Sequence, residues 1–392
     1  MVVATLSVGA YVPLTLLSPL DRALASVAET PLPALTVSTP VFPDYGASAV
    51  GAIGFDGVLA AGGTAAPLPI ASISKIVTAL VVLDTHPLEG DEEGPAITFG
   101  PADVALYDAY RSVGGKVEPV RAGLELTQRE ALEVMLVSSA NNYAESLAAW
   151  AFGSTGAYVD TAGKWLAAKG LDETTIVEPT GMSPLNVSTA ADLVDLGKLA
   201  LDNAVVAQIV GTVAVDVPFI GAVDNSNKLL GIDGIDGIKT GTLDEAGACL
   251  LFSADFTIGE HPVTVVGVVL GGVDHDTLDT AVRSLLESAA AGFRDVPLAM
   301  AGEAFATYRT AWDDEAAAVA ATDRSVLVWS STPISAEVVV PPLRLAEDGD
   351  PAGSVTFSVG GEEVEIPLIV EGAIEDPGPW WRLTHPGEIL AD

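Results

Sequence analysis

Three short polar clusters interrupt otherwise apolar stretches of the chain: Ser72-Ile73-Ser74-Lys75, Ser139-Ala140-Asn141 and Lys239-Thr240-Gly241. Ser139 lies 67 residues after Ser72, and Lys239 lies 100 after Ser139. For these clusters to act together, the fold must bring three distant elements to one point. Within the first cluster, Lys75 follows Ser72 by one helical turn and falls on the same face. Only seven lysines occur in the chain, and two of them belong to these clusters.

The elements around the clusters are legible. Ala47 to Ala61 reads as a β-hairpin turning at Phe55-Asp56-Gly57. The apolar run Ile76–Leu83 predicts a buried helix starting at Ser72 or Ser74. That start places the Ser72 hydroxyl near the positive end of the helix dipole. Thr127-Gln128-Arg129-Glu130 is a capping box opening a helix that runs toward Ser139, and Tyr143–Phe152 continues as another. Taken alone, Ser139 and Asn141 read equally well as caps at a helix–helix corner. Gly234–Thr242, Ala246–Ala254 and Val263–Leu270 read as strands, with glycines around Lys239-Thr240 that let a ligand backbone lie close. Helices over Tyr158–Lys169, Thr189–Asn203 and Asp276–Phe293 complete an α/β (α+β) unit. Beyond about residue 300, short alternating runs separated by Gly, Pro and Asp turns predict a small all-β domain. Trp380-Trp381 there reads either as aromatic packing that closes the domain or as a patch for a membrane interface or wall.

Composition bounds the rest. A chain of 392 residues exceeds one ordinary domain, and 49% hydrophobic with 18% charged residues describes a large core, not a disordered chain. Cys249 is the only cysteine and sits in an apolar run, so it reads as a small packed hydrophobe. The chain carries 17 basic and 53 acidic residues, a net charge of −36. Nucleic acid and anionic membranes repel such a surface, so no nucleic-acid partner is expected. Screening by a salty environment is one reason for that charge, testable as stability against salt.

Residues 1–20 carry no charge and are followed by Ala23-Leu24-Ala25, a small-x-small pattern. Residues 1–25 are therefore expected to be a signal peptide or membrane anchor, with an apolar segment docked on the domain as the alternative. The missing basic n-region and the interruptions at Pro13 and Pro19 weigh against export. Residues 26–43, rich in Pro, Thr and Ser, read as a linker. A catalytic domain over 44–297, a β domain over 298–386 and a tail over 387–392 follow.

Serine attack on an amide needs a base. His86, His261 and His385 each precede proline and His275 lies between two aspartates, so none is expected to serve. A lysine can serve when burial and a neighbouring cation lower its pKa, which assigns Lys75 as base, Ser72 as nucleophile and Lys239 as the neighbouring cation. Ser139 would pass a proton to the leaving amine and Asn141 would hold the substrate amide. Lys239, Thr240 and Thr242 on the Gly241-containing strand would bind a carboxylate, with the Ser72 and Thr242 N–H groups as an oxyanion hole. No metal or cofactor is called for.

Ser-x-x-Lys, Ser-x-Asn and Lys-Thr-Gly in this order resemble the penicillin-recognising serine acyltransferases. Thr180-Gly181-Met182 with Asn186, Ser188-Thr189 and Asp192, Asn227-Lys228-Leu229-Leu230, and Thr242–Gly247 narrow the resemblance to the D-alanyl-D-alanine carboxypeptidases, the low-molecular-mass penicillin-binding proteins, over about residues 45–295. That resemblance implies a transpeptidase-like domain: an antiparallel sheet with helices on both faces plus a helical subdomain. It also implies a cell-wall-side location, removal of terminal D-Ala from peptidoglycan stem peptides, and acylation of Ser72 by β-lactam antibiotics. The family usually has threonine where Ser74 stands and aspartate where Asn142 stands. Its C-terminal amphipathic membrane helix has no counterpart in the ending Gly387–Asp392, which leaves membrane association to the N-terminal segment.

Two other functions fit the same motifs. A class A-like β-lactamase needs a carboxylate to deacylate the enzyme, and Glu178 is the candidate, but Met182 stands where that pattern has asparagine. A non-catalytic wall-binding or lactam-sensing module would not need Ser72, Lys75, Ser139, Asn141 and Lys239 all intact.

Overall fold

The structure is a computed structural model that describes residues 11–390. Residues 1–10 of the expected leader and 391–392 of the expected tail lie outside the described residues. The chain divides into two compact units, one of Ser38–Gly292 and one of the residues through Val37 together with those from Phe293.

In the Ser38–Gly292 unit, strands β1 (Ala47–Ala52) and β2 (Ala60–Gly63) form the expected hairpin. A single 3₁₀ turn, Ala71–Ile73, leads into helix α1 (Ser74–Thr85). Every residue of α1 from Ser74 to Leu83 is buried, and the helices Gln128–Val137, Asn141–Phe152, Thr155–Ala168 and Ala190–Asp202 pack around it. A helix that is largely apolar on every side is stable only when enclosed in this way. Helix α2 spans Pro101–Ser112. Helix α3 (Gln128–Val137) begins at the capping box, with Thr127 accepting from the Glu130 N–H and Glu130 from the Thr127 N–H. Such a cap contributes about 1 kcal/mol. Helices α4 (Asn141–Phe152), α5 (Thr155–Ala168), α6 (Ala190–Asp202) and α7 (Ala204–Val210) complete the helical part.

Strands β3 (Ile235–Leu243), β4 (Gly247–Ile258) and β5 (His261–Gly272) then join the hairpin in an antiparallel sheet of order β3-β4-β5-β1-β2. Ala248 to Ala254 is buried without interruption, because helices cover both faces of β4. Cys249, Leu251, Val266 and Val268 face the helical core, and α8 (His275–Ala290) packs against β4 and β5. Gly197 of α6 lies so close to the sheet that a Cβ there would come within 2.5 Å of Val266 Cγ1. Strand β3 is an edge, and this exposes Lys239-Thr240-Gly241 to a cleft instead of to a sixth strand.

The second unit is a six-stranded sheet, ordered Ala25–Val27, Ala304–Arg309, Glu315–Ala320, Glu362–Gly372, Pro351–Val359, Ile334–Val339. Its core includes Phe305 and Phe357, whose rings meet edge to face. The segment expected to be leader and linker contributes to this unit. Residues 11–17 are helical, Leu20 and Ala23 are buried, and Ala25–Val27 pairs with Ala304–Arg309. Tyr11 donates to the Leu383 carbonyl, and Arg382 donates to that of Ser18. No helix among the described residues is long and apolar enough to cross a membrane. The two adjacent tryptophans have different surroundings: Trp381 packs on Trp312 and His385, whereas Trp380 is 79% exposed.

Candidate active site

The Ser72 hydroxyl lies in the 3₁₀ turn directly before α1, and Lys75 projects from the first turn of that helix beneath it. Lys75 is completely buried, and its Nζ lies 2.9 Å from Ser72 Oγ, 2.7 Å from Asn141 Oδ1 and 2.5 Å from the Thr180 carbonyl. This arrangement serves both protonation states. As an ammonium, Lys75 donates to all three oxygens. As a neutral amine it keeps two donors for Asn141 and Thr180, and its lone pair faces the Ser72 proton. Burial is the main cause that lowers its pKa to about 7; Lys116 lowers it further and Glu178 opposes.

Glu178 acts through the loop that follows it. Its two carboxylate oxygens accept from the Thr180, Gly181 and Ser183 N–H groups, the Thr180 hydroxyl and Asn186 Nδ2. The loop is thereby fixed so that the Thr180 carbonyl meets Lys75. These bonds occupy the carboxylate, which is not free to activate a water. Gly181 has φ +83°, and a Cβ on it would lie 1.9 Å from the Ala71 carbonyl oxygen, beside the nucleophile. Only glycine meets both conditions. Ser74 and Asn186 join the same wall through an Asn186 Nδ2–Ser74 Oγ bond of 3.0 Å.

Ser139 stands at the corner between α3 and α4 with φ +68°, an uncommon conformation for a residue with a side chain, and it lines the cleft. The corner is thus both a helix junction and a wall of the site. Asn141 Oδ1 accepts from Lys75, so this residue, expected to hold the substrate amide, also orients the base. Asn142 donates to the Glu118 carbonyl and accepts from the Glu118 N–H. A carboxylate at that position would accept but could not donate, which accounts for the amide here. With the Asn141 N–H bonded to the Lys116 carbonyl, this clamp holds the loop that carries Lys116 against the cleft.

The third wall is β3. A Cβ on Gly241 would lie 2.9 Å from the Ile70 carbonyl and 3.3 Å from the Ser72 N, so the strand runs directly alongside the nucleophile. Lys239 is buried, with Ser226 Oγ at 3.4 Å, and Ser226 is in turn 2.6 Å from Thr240 Oγ1. Burial pushes the Lys239 ammonium well below its ordinary pKa, and Lys75 and Lys116 add to the shift. Lys116 is thus a second cation near Lys75, beside the expected Lys239, and it lowers the pKa of both buried lysines.

Ser72, Ser139, Asn141, Thr240, Gly241 and Thr242 line one cleft of about 300 Å³, with Lys75 and Lys239 beneath its floor. All eight residues singled out in the sequence are thus brought together. Two were missed. Lys116 lines the cleft from a loop without a motif. His275, set aside for its aspartate neighbours, places Nε2 2.7 Å from Thr242 Oγ1. Cys249 is fully buried and its thiol is pushed up to about 11 by burial, which leaves it inert.

This geometry has known counterparts. The family described as D-alanyl-D-alanine carboxypeptidase matches residues 54–273. A D-alanyl-D-alanine endopeptidase of Pseudomonas aeruginosa is 34% identical over 230 residues, 56% of this chain and 70% of the relative. The D-alanyl-D-alanine carboxypeptidase DacF of Bacillus subtilis is 26% identical over 236 residues, 58% of this chain and 57% of the relative. Among solved structures, the D-alanyl-D-alanine carboxypeptidase DacD of Francisella tularensis superposes with a TM-score of 0.59 at 19% identity, covering 88% of this chain and 97% of its own. Penicillin-binding protein D2 of Listeria monocytogenes in its ampicillin-bound form gives 0.51 at 26% identity, covering 62% and 96%. The chain belongs to the D-alanyl-D-alanine carboxypeptidase family and is a serine peptidase of the D-Ala-D-Ala class.

Proposed function

We propose that the protein is a serine-type D-Ala-D-Ala carboxypeptidase that trims peptidoglycan stem peptides on the wall side of the membrane. The observation that carries this reading is the Lys75 Nζ, 2.9 Å from Ser72 Oγ and held by two further acceptors. Neutral Lys75 takes the Ser72 proton as Oγ attacks the penultimate D-Ala carbonyl. The scissile C–N bond breaks as the proton that Lys75 took passes through Ser139 to the leaving amine, terminal D-Ala departs, and Lys75 is neutral again. Water then attacks the Ser72 ester, gives a proton to Lys75, and the serine is restored with its proton. Lys239, Thr240 and Thr242 hold the terminal carboxylate, whose charge offsets the burial of Lys239. The Ser72 and Thr242 N–H groups bear on the developing oxyanion.

Penicillins carry an amide and a carboxylate in comparable relation, so they acylate the same serine. Intact-mass measurement after exposure to benzylpenicillin tests this: an adduct on the wild type and none on Ser72→Ala is the expected result. Absence of any Ser72-dependent adduct, together with no release of D-Ala, defeats the reading. A second reading is favoured by the relatives of Pseudomonas aeruginosa and Escherichia coli, both named endopeptidases. Assaying cross-linked against uncross-linked muropeptides separates the two, with faster loss of terminal D-Ala supporting the carboxypeptidase. β-Lactamase action is disfavoured by the full occupation of Glu178, and slow release of the penicilloyl group is expected. Membrane association is assigned to the uncharged N-terminal segment; sequencing the mature N-terminus and washing membranes with carbonate test it.

A further inference from the structure

His275 is the first residue of α8, and its Nε2 lies 2.7 Å from the hydroxyl of Thr242, which lines the mouth of the cleft. A threonine hydroxyl has one proton, so its partner decides which way that proton points. We propose that His275 is a positioning residue: it sets the direction of the Thr242 hydroxyl and makes the grip on the substrate's terminal carboxylate depend on pH. This inference rests on the carboxylate role given above to Lys239, Thr240 and Thr242.

Two states follow from the geometry. The imidazolium donates from Nε2 to Thr242 Oγ1, so the hydroxyl proton turns away from the ring and is free for a carboxylate in the cleft. Loss of that proton to give the Nδ1–H tautomer reverses the bond. Thr242 then donates to Nε2 and turns its lone pairs toward the carboxylate, which repel it. The protonated ring also adds a positive charge near the ligand.

The charges facing the ring come from three directions. Asp274 and Asp279 belong to its own helix or its cap, Lys116 to the loop that follows α2, and Lys228 to the segment before β3. Burial lowers the His275 pKa from 6.5, Lys116 and Lys228 lower it further, and Asp279 and Asp274 oppose them. The protonated form binds the carboxylate better, so affinity is greatest at acid pH and falls as pH rises through the ring's pKa. Lys75 and Lys239 also lose charge with rising pH, and their contribution is common to every variant that retains them.

Binding is measured in a Ser72→Ala background, where no turnover interferes, with an acylated Lys-D-Ala-D-Ala peptide as free acid and as C-terminal amide. Between pH 5 and 8, the Kd for the acid should rise about tenfold more with His275 present than with His275→Gln, whose amide N–H donates at every pH. His275→Leu should bind the acid weakly across the range, and the amide should be indifferent to residue 275. Equal pH slopes for His275 and His275→Gln, an equal effect on the amide, or no binding of the acid overturns the inference. Failure of the proposed function appears separately, as a wild-type enzyme that releases no D-Ala and takes no penicillin.

Discussion

The two ends of the cleft each contain a buried lysine, yet they are finished to different degrees. At the Ser72 end, Lys75 has three oxygens at 2.5–2.9 Å, two of them fixed by other parts of the fold. At the Thr242 end, Lys239 is as deeply buried but has one hydroxyl, at 3.4 Å. A buried cation is costly unless it is paired or gives up its proton. The Ser72 end meets this with a complete set of acceptors that also suits a neutral base. The Thr242 end remains short of a counter-charge, which an anionic ligand supplies. On the proposed mechanism, the difference separates an end that moves a proton from an end that receives a carboxylate.

Several measurements would break or sharpen that contrast. The largest effect belongs to the finished end: Ser72→Ala or Lys75→Met should lower kcat by about 10⁴-fold or more, read as D-Ala release. A residual rate near wild type would remove Ser72 and Lys75 from the chemistry. The same end should dominate the pH profile. Lys75 is a base only when unprotonated, so in His275→Gln, where residue 275 does not titrate, kcat/KM should rise about tenfold per pH unit up to about pH 7 and then level. Lys75→Met should abolish that limb with the activity.

At the open end the effect is smaller and selective. Lys239→Met should cost about tenfold to a hundredfold in kcat/KM for a peptide with a free carboxylate, and much less for its amide. Equal losses on both peptides would mean that Lys239 supports the fold and does not grip the ligand. Gly181→Ala tests how tightly the finished end is packed. The new methyl meets the Ala71 carbonyl, and thermal unfolding should show a loss of about 1–3 kcal/mol, with activity falling too. The smallest effect is expected far from either end. Asp233→Asn removes the charge from the solvent-exposed Arg283–Asp233 pair and should leave the thermal midpoint nearly unchanged.

Much of this contrast was legible beforehand, for identifiable reasons. Thr127 and Glu130 announced their helix because a capping box is a local device satisfied within four residues. Ile76–Leu83 announced a buried helix because a continuous apolar run has nowhere else to go. Lys116 and His275 escaped because nothing local marks them. Lys116 sits in a loop that is placed by Asn141 and Asn142 from another element. His275 faces Thr242 only because α8 returns across the end of β5. The strand Ala25–Val27 escaped for a similar reason: its partner, Ala304–Arg309, lies about 280 residues further along the chain. Glu178 was visible but ambiguous, since its five donors are counted only once the loop is folded.

By itself the sequence determined the chemistry on offer: a serine with a lysine one turn away, a Ser-x-Asn corner, and a lysine on a glycine-flanked strand. It determined most helices and strands too, because caps and apolar periodicity act over a few residues. Tertiary structure decided which end of the cleft is complete. It set the three acceptors on Lys75, brought Lys116 close enough to act on both buried lysines, and put His275 against Thr242. Those outcomes depend on burial and on distances of a few ångströms between residues far apart in sequence, and no local pattern encodes them.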